Sequence, residues 1–238
     1  MRKALGTTAL VTGGTRGIGR AIALRLTADG VAVTVTGTRP DGEAPEGCAY
    51  LAIDFSDTAA TERFATGIAA QGFDILVNNA GINKLSPFAE ISLAEFELIQ
   101  RINVTAPMLL ARAVVPGMRA RNWGRIVNVG SIWSIISKEQ RASYSASKFA
   151  LDGLTAALAA EVAVDNVLVN TVAPGFIDTE LTRRMLGDEG MRTLTASVPM
   201  RRAGTPEEIA VFVAWMAGPE NTFISGQCIA IDGGFTRV

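Results

Sequence analysis

The chain contains no histidine among its 238 residues. Histidine is the commonest general base at neutral pH and the commonest protein ligand of zinc. Its absence excludes a Ser-His-Asp hydrolase and a typical catalytic zinc site. A proton donor in this protein must therefore be a tyrosine, a lysine, a cysteine or a carboxylic acid.

Cysteine and charge are also scarce. The two cysteines, Cys48 and Cys228, lie far apart in the sequence, and we expect two reduced thiols rather than a disulfide or a metal site. Only 19% of the residues are charged and the formal net charge is −1, so we expect neither nucleic acid nor an anionic membrane as a partner. A hydrophobic fraction of 48% is enough for a large core and for contacts between subunits.

Signals for export or membrane insertion are absent as well. Few apolar residues follow Met1-Arg2-Lys3 before Gly13-Gly14, which is not the pattern of a signal peptide. No apolar run approaches the length that spans a bilayer. We therefore expect a cytoplasmic protein without a membrane partner.

The sequence does contain a regular alternation of apolar strands and helical segments. This alternation predicts an α/β fold, namely a doubly wound, Rossmann-like and mostly parallel seven-stranded sheet with helices on both faces, in a single domain over residues 1–238. The segment Ile177–Pro199 is weakly patterned and is a candidate for a mobile lid. The expected strands are Ala9–Val11, Val31–Val35, Ala49–Ile53, Asp74–Val77, Arg125–Val129, Val167–Val172 and Gln227–Ile231, and the expected helices are Gly17–Ala28, Ala59–Ala70, Leu93–Arg121, Tyr144–Val162 and Pro206–Met216.

A glycine-rich turn joins the first strand to the first helix. Residues 9–19 read ALVTGGTRGIG, which places Gly13, Gly17 and Gly19 at this junction. Glycine permits positive φ and lets the backbone approach a ligand closely, while the N-terminus of the following helix attracts an anion. The turn predicts a dinucleotide phosphate site with the spacing TGxxxGxG instead of GxGxxG.

The end of the second strand bears on the choice between NADP and NAD. A carboxylate at this point would accept a hydrogen bond from the ribose 2′-hydroxyl of NAD and repel a 2′-phosphate. Here the chain reads Thr36-Gly37-Thr38-Arg39, and no carboxylate occurs before Asp41. Arg16 and Arg39 can both face a 2′-phosphate, or can be solvated surface arginines. We predict NADP(H) as the cofactor and NAD(H) as the less favoured one.

The two tyrosines have different neighbours in the sequence. Tyr50 starts a strand and has no suitable partner, whereas Tyr144 opens a helix with Lys148 one turn later on the same face. A nearby ammonium favours the phenolate, while desolvation opposes it. We predict that Lys148 lowers the pKa of Tyr144 and that Tyr144 is the acid/base group; the alternative is a surface pair without function.

Further short motifs follow the glycine turn in a fixed order. In that order and spacing, over essentially the whole chain, the sequence resembles the short-chain dehydrogenase/reductase family in its compact one-domain form, and most of all the NADP-dependent 3-oxoacyl-carrier-protein reductases. The motifs are Thr12–Gly19 (TGGTRGIG), Asp54, Asn78–Gly81 (NNAG), Asn103, Ser131, Tyr144–Lys148 (YSASK), Pro174-Gly175 with Thr179, and Gly226 with Asp232-Gly233-Gly234.

The resemblance implies a role for each of these positions. It implies a catalytic tetrad of Asn103, Ser131, Tyr144 and Lys148, in which Ser131, preferred over Ser134, binds the substrate oxygen. It implies no metal. The cofactor contacts that it implies are Gly13, Thr15, Arg16, Gly17, Ile18, Gly19, Thr38, Arg39, Asp54, Asn79, Gly81, Tyr144, Lys148, Ile177 and Thr179.

The implied activity is hydride transfer between a nicotinamide and a carbonyl or secondary alcohol, and the substrate stays open. A 3-oxoacyl thioester on an acyl carrier protein is one candidate. The stretch Ser131–Arg141 (SIWSIISKEQR) lacks the glycine-rich character usual in carrier-protein reductases, so a sugar, a polyol or a specialised-metabolite ketone is the other. A non-catalytic NADP-sensing module is the alternative from another class. The candidate pocket residues are Lys84, Trp133, Ile135, Ile136, Phe176, Leu181, Met185 and Met191, flanked by arginines that include Arg141, Arg183 and Arg202.

The helix that contains Tyr144 is apolar on nearly every face. Over residues 144–164 its only charged residues are Lys148, Asp152 and Glu161. Such a helix is expected to be covered on both sides. We read the side away from the sheet as a subunit contact, and the resemblance implies a homotetramer.

Overall fold

The computed structural model describes residues 6–238 and contains one seven-stranded sheet, in which all neighbouring strands are parallel. The order β3-β2-β1-β4-β5-β6-β7 confirms the predicted doubly wound, Rossmann-like fold. The domain boundaries 1–238 stay a prediction, because residues 1–5 lie outside the described part. The strands are β1 (Thr8–Val11), β2 (Ala32–Gly37), β3 (Ala49–Ala52), β4 (Ile75–Asn78), β5 (Gly124–Val129), β6 (Val167–Pro174) and β7 (Cys228–Ile231).

Helices cover both faces of the sheet, and the side chains of each central strand alternate between two cores. In β1, Ala9 and Val11 pack in one core, and Leu10 packs in the other. Helices α1 and α7 cover the first face, and α2, α4 and α5 cover the second. The helices are α1 (Gly17–Ala28), α2 (Thr58–Gln71), α3 (Leu93–Gln100), α4 (Ala106–Ala120), α5 (Ala142–Val162), α6 (Glu180–Ser197) and α7 (Pro206–Ala217).

The helix expected over Leu93–Arg121 runs without a break to Ala120 but contains a π-helical turn. A π-helical turn, Arg101–Thr105, separates α3 from α4 and carries the buried Asn103. Pro107 lies at the start of α4, where a missing backbone N–H costs little, but Pro116 lies inside it. A π-turn adds a residue to the helical repeat and occurs frequently at functional sites.

Two other expectations about helices need correction. Helix α5 begins at Ala142, so Tyr144 lies within the first turn instead of opening the helix. The segment Ile177–Pro199, expected to be weakly patterned, contains helix α6, which Thr179 caps by accepting a hydrogen bond from the N–H of Thr182. Its role as a mobile lid stays a prediction. The helix is kinked at Gly187, whose φ of +61° is in the left-handed region that glycine tolerates.

The continuous helical segment Leu93–Ala120 is long and apolar enough, by length and composition alone, to cross a membrane. This corrects the expectation that no segment reaches that length. Half of its most apolar window is buried inside the fold, and the core helices of many folded domains meet the same criterion. The segment is therefore weak evidence for a membrane span.

A buried chain of polar side chains joins helix α5 to the middle of the sheet. The side-chain amide of Asn78 donates to Asn128 Oδ1, and Asn128 Nδ2 donates to the hydroxyl of Thr155, both at 2.8 Å. The hydroxyl of Thr155 also lies 2.8 Å from that of Thr171. Because buried polar groups are costly without partners, these bonds fix how α5 sits over β4, β5 and β6.

We expect Thr155→Val to lower the free energy of unfolding by roughly 1–3 kcal/mol, because it leaves the buried amide of Asn128 without its acceptor. Urea denaturation followed by circular dichroism measures the change. Thr66→Val is the control, since the hydroxyl of Thr66 makes only a local helical bond to the carbonyl of Glu62 at the surface, and its effect should stay within about 0.5 kcal/mol. Equal effects of the two substitutions would contradict the assigned role of the network.

Candidate active site

The glycine turn after β1 adopts conformations that require glycine. Gly13 and Gly17 have φ of +63° and +54°. Gly19 packs against the turn itself, because a Cβ at this position would overlap the carbonyl of Gly13 and the side-chain amide of Asn79. The turn therefore brings the backbone of the first turn of α1 to the carboxyl edge of the sheet without intervening side chains.

Asn79 and Thr12 hold this turn against the end of β4. Asn79 Nδ2 donates to the carbonyls of Thr12 and Gly13, at 2.9 and 3.1 Å. The hydroxyl of Thr12 accepts from the backbone N–H groups of Asn79 and Ala80, at 2.9 and 3.0 Å. Asn79 thus shapes the turn with its side chain, a role that the sequence analysis did not assign to it.

The N-terminus of α1 carries no side-chain cap. Asp57, Ser92, Thr179 and Thr205 cap α2, α3, α6 and α7 with a side-chain oxygen. Arg16, the N-cap residue of α1, makes no such bond, and the first turn contains no acidic residue. The backbone N–H groups of Gly17, Ile18 and Gly19 therefore have no side-chain cap at the positive end of the helix dipole, an arrangement that fits the phosphates of a dinucleotide.

The N-terminal end of α6 lies close to this turn. A Cβ at Gly17 would come within 3.9 Å of Thr179 Cγ2, so these two predicted contacts lie close together. Ile177 is buried and forms a parallel bridge with Gly204. The hydrogen bonds of that bridge belong to Phe176 and Asp178, so the bridge does not use the N–H and C=O groups of Ile177.

The residues predicted to bind the adenosine end lie at the carboxyl ends of β2 and β3. Thr38 and Arg39 follow β2 directly, and both side chains are exposed, as are those of Arg16 and Asp54. Arg39 lies 3.4 Å from the carboxylate of Asp41, and both side chains are more than three-quarters exposed. Such a pair is weak in water, so the guanidinium can exchange its carboxylate for a phosphate. The predicted contact Thr15 lies nearby, since a Cβ at Gly37 would lie 3.0 Å from Thr15 Cγ2.

Three of the four predicted tetrad residues meet at the end of β5. The hydroxyl of Ser131, just past this strand, is near enough to the phenol of Tyr144 to lower its pKa. The amine of Lys148 is buried, lies 5.5 Å from the centre of the Tyr144 ring and donates to the carbonyl of Val129 at 2.9 Å. Ser134, the rival of Ser131, instead donates to the carbonyl of Ser131 at 2.6 Å.

Asn103 lies behind this group rather than beside the phenol. Its amide spans the backbone of Ile82, with Oδ1 accepting from the N–H and Nδ2 donating to the carbonyl, both at 2.9 Å. Nδ2 also donates to the hydroxyl of Ser147 at 3.0 Å. A Cβ at Gly81 would lie 3.3 Å from Asn103 Oδ1 and 3.7 Å from Lys148 Nζ, so only glycine leaves this space open. The bonds of Asn103 are therefore long-range and join the π-turn to Ile82 and to helix α5.

The protonation of the tyrosine–lysine pair differs from the sequence-based prediction. Burial raises the pKa of Tyr144, and the hydrogen bond from Ser131 and the charge of Arg141 only partly offset it. Burial also lowers the pKa of Lys148 to about 8. The prediction that Lys148 lowers the pKa of Tyr144 is therefore wrong for this arrangement, because the amine is bonded to Val129 and desolvation dominates at both groups.

Two residues that the sequence analysis did not place at the site contribute to it. The hydroxyl of Ser147 is fully buried, donates to the carbonyl of Tyr144 at 2.7 Å and accepts from Asn103. In the sequence, only the position of Ser147 inside the YSASK motif indicated that it could belong to the site. Arg141, mentioned before only among the flanking arginines, stacks on Trp133 with its guanidinium carbon 5.1 Å from the ring centre.

A cavity of about 640 Å³ opens beside Trp133 and Arg141. Of the pocket residues predicted from the sequence, Trp133 and Phe176 line this cavity. Four others do not: Lys84, Ile135, Ile136 and Met191. The side chains of Leu181 and Met185, also predicted, lie outside the described part of the structure. The other lining residues are Leu85, Lys138, Glu139, Gln140, Arg141, Glu189, Gly190, Thr193, Leu194, Ser197 and Phe235.

Comparisons with known proteins point to oxidoreductases. Residues 13–236 match a family model described as enoyl-(acyl carrier protein) reductase. The 3-oxoacyl-[acyl-carrier-protein] reductase FabG of Vibrio cholerae is 39% identical, over 98% of each chain.

Solved structures agree over nearly the whole chain. A protein assigned as an NAD(P)-dependent gluconate 5-dehydrogenase from Beutenbergia cavernae, with bound NADP, superposes with a TM-score of 0.92 at 34% identity and covers 99% of both chains. A gluconate 5-dehydrogenase from Burkholderia cenocepacia, in complex with NADP and tartrate, gives a TM-score of 0.91 at 29% identity and covers 99% of this chain and 97% of that one.

We expect Gly19→Ala to destabilise the protein by about 1–3 kcal/mol, because its Cβ overlaps Gly13 and Asn79, and to weaken NADPH binding at least about tenfold. Thermal unfolding and a fluorescence titration with NADPH measure the two effects. Gly67→Ala is the matched control: nothing lies within 4 Å of its added Cβ in the exposed part of α2, so it should stabilise the helix by about 0.5–1 kcal/mol. Unchanged NADPH binding in Gly19→Ala would argue against this turn as the cofactor seat.

Proposed function

This chain belongs to the short-chain dehydrogenase/reductase family, and from that premise we propose that it interconverts a ketone and a secondary alcohol with NADP(H), using Tyr144 as the acid/base group. The observation that carries the proposal is the meeting of Tyr144, Ser131 and Lys148 at the carboxyl end of β5. In open α/β sheets this edge is where ligands bind. The uncapped N-terminus of α1 lies at the same edge.

Most of the residues that would hold the cofactor follow the carboxyl ends of strands in the sheet. The backbone of residues 17–19 would bind the phosphates, Arg16 and Arg39 the 2′-phosphate, and Asp54 the adenine amino group. Ile177 and Thr179 would meet the nicotinamide end, and Lys148 would donate to its ribose hydroxyls. When bound, NADPH would supply the hydride that the carbonyl carbon accepts. Structural relatives with bound NADP support this choice over NAD.

The proton chemistry follows from the surroundings of the phenol. A raised pKa keeps Tyr144 protonated near neutral pH, as a donor to a nascent alkoxide must be. Ser131 would donate a hydrogen bond to the same substrate oxygen. After proton transfer, the Ser131 hydroxyl and the Arg141 charge would stabilise the phenolate, and the buried Lys148 amine, with a pKa of about 8, would return a proton. Asn103 acts here as a positioning residue through Ile82 and Ser147.

Two classes of substrate are supported by relatives. The carrier-protein reductases support a 3-oxoacyl thioester, with an acyl carrier protein as partner. The gluconate dehydrogenases support a sugar acid, and the segment Ser131–Arg141 with its Trp133 and Arg141 favours this second class. A screen of NADPH oxidation and NADP reduction over thioesters, sugar acids, polyols and ketones decides between them. Absence of turnover with the whole panel would favour the NADP-sensing alternative.

We also propose that the protein assembles as a homotetramer and resides in the cytoplasm. On α5, Phe149 is 47% exposed, and Gly153, Ala156, Ala157 and Ala160 are exposed as well. A contiguous outward face of small and apolar residues on a helix is typical of a subunit contact. Light scattering distinguishes four subunits from one.

Tyr144→Phe should reduce kcat by roughly 10²–10⁴-fold, because the phenol is the proposed proton donor and the change removes only its hydroxyl. NADPH binding should stay within a few-fold of the parent protein. Steady-state kinetics with the best substrate of the panel and a fluorescence titration measure the two quantities. Tyr50→Phe is the matched control, since its hydroxyl donates to the carbonyl of Arg39 at a distance from the tetrad. Full activity of Tyr144→Phe would refute the assignment.

Arg39→Ala should lower kcat/KM for NADPH roughly tenfold and leave that for NADH nearly unchanged, because only NADPH carries the 2′-phosphate. The measurement is the ratio of the two kcat/KM values at fixed ionic strength. Arg25→Ala, which removes an exposed arginine paired with Asp29 at the other end of α1, should leave the ratio unchanged. An equal kcat/KM for the two cofactors in the parent protein would overturn the NADP assignment.

A further inference from the structure

Arg141 occupies an unusual place beside the proposed reaction centre. It is the N-cap residue of α5, three residues before Tyr144, and its side chain turns back over the face of Trp133. The charge of its guanidinium is one of the influences that lower the pKa of Tyr144. Arg141 also forms part of the wall of the 640 Å³ cavity.

The guanidinium of Arg141 is half-buried and has no anionic partner among the described residues. No acidic side chain of residues 6–238 that the structure describes forms an ion pair with it, and its side chain donates no hydrogen bond to them. Burial lowers the pKa of Arg141, so the group has given up part of its hydration. By contrast, Arg183 and Arg202 are bound in two-point pairs by Asp178 and Glu208.

The remaining charges of the cavity do not neutralise Arg141. Lys138 and Glu139 pair with each other at 3.3 Å and are more than half exposed, and Glu189 is exposed. The inner wall is aromatic: Trp133 contacts Phe176, which contacts Phe235, with ring centres 6.4 and 4.9 Å apart. The cavity thus presents one partly desolvated cation on an aromatic wall, and this cation belongs to the residue three positions before the proposed proton donor.

We propose that Arg141 binds a carboxylate that belongs to the substrate itself, so that the substrate is a small keto or hydroxy acid. This inference rests on the proposed function and names its substrate class. A guanidinium that stacks on an aromatic ring keeps the N–H groups at its edge free, and these form a planar fork that matches a carboxylate. We expect the anion to lie within a few bonds of the reacting carbon, because Arg141 and Tyr144 are three residues apart at the start of the same helix. In a thioester on a carrier protein, the phosphate of the carrier arm is many bonds farther from the reacting carbon, so it fits this position less well.

The test compares ketones that differ only in charge. The probes are acetoacetate, 4-oxopentanoate and 5-oxohexanoate with their methyl esters, and the readout is the ratio of kcat/KM for acid to ester with NADPH. We expect the best acid to be preferred in the parent protein, and the preference to fall roughly 10- to 100-fold in Arg141→Gln. Arg141→Lys should recover part of it, because it restores the charge without the fork. If the parent protein gave the same kcat/KM for each ester as for the corresponding acid, the inference would be overturned.

Lys138→Gln is the matched control, because Lys138 is a cation in the same cavity wall that is already paired with Glu139. The acid-to-ester ratio should stay within about twofold of the parent value, as expected for an exposed pair. If Lys138→Gln lowered the acid-to-ester ratio as much as Arg141→Gln, the acid would be selected by the general positive potential of the cavity and not by binding to Arg141. That outcome would overturn the inference.

A binding measurement separates failure of this inference from failure of the proposed function. Calorimetry with glutarate and with dimethyl glutarate, on the protein saturated with NADP, requires no turnover. Binding of glutarate alone, lost in Arg141→Gln, supports the carboxylate seat even if no ketone is reduced. Turnover of the ketones without any dependence of binding or rate on Arg141 leaves the proposed function standing and overturns the inference.

Discussion

The buried amine of Lys148 and its hydrogen bond to the carbonyl of Val129 are the contact on which the site depends. A lysine with almost no exposed surface is tolerated because this bond and the space beside Gly81 accommodate it. The bond ties the first turns of α5 to the end of β5, and so brings the phenol of Tyr144 to the hydroxyl of Ser131. Without this bond, Ser131 at the end of β5 and Tyr144 on α5 would not be held together.

Polar groups below and behind the phenol keep that contact in place. Asn78, Asn128 and Thr155 join the middle of α5 to the sheet, while Asn103 holds Ile82 and Ser147 from the side of the π-turn. Each group is buried and would be costly without its partner, so the arrangement has few alternatives of similar energy. The rigidity of the site therefore comes from hydrogen bonds that cross between elements, and the apolar cores on both faces of the sheet supply most of the burial.

The cleft combines two kinds of positive potential, which suit two different anions. At one end, the uncapped N-terminus of α1 offers backbone N–H groups that fit phosphates. At the other end, Arg141 offers a side-chain cation against the ring of Trp133. Tyr144 and Lys148 follow Arg141 on helix α5, so the proposed function would bring a dinucleotide and an acidic carbonyl compound together at the phenol. The arrangement gives the proposed substrate class a physical basis that the fold alone does not provide.

The sequence by itself determined the parallel sheet, the glycine turn and the pairing of Tyr144 with Lys148, because each of these depends on residues close together in the chain and on the regular period of strands and helices. Tertiary structure decided what depends on separate elements coming together. Asn103, in the π-turn, accepts a hydrogen bond from the backbone of Ile82, which lies in a different part of the chain. The side chain of Arg141 is held in place by stacking on Trp133. The raised pKa of Tyr144 follows from burial, which spacing cannot measure. Sequence spacing fixes which groups share a helix face, but only packing fixes which atom each group faces and how much water it keeps.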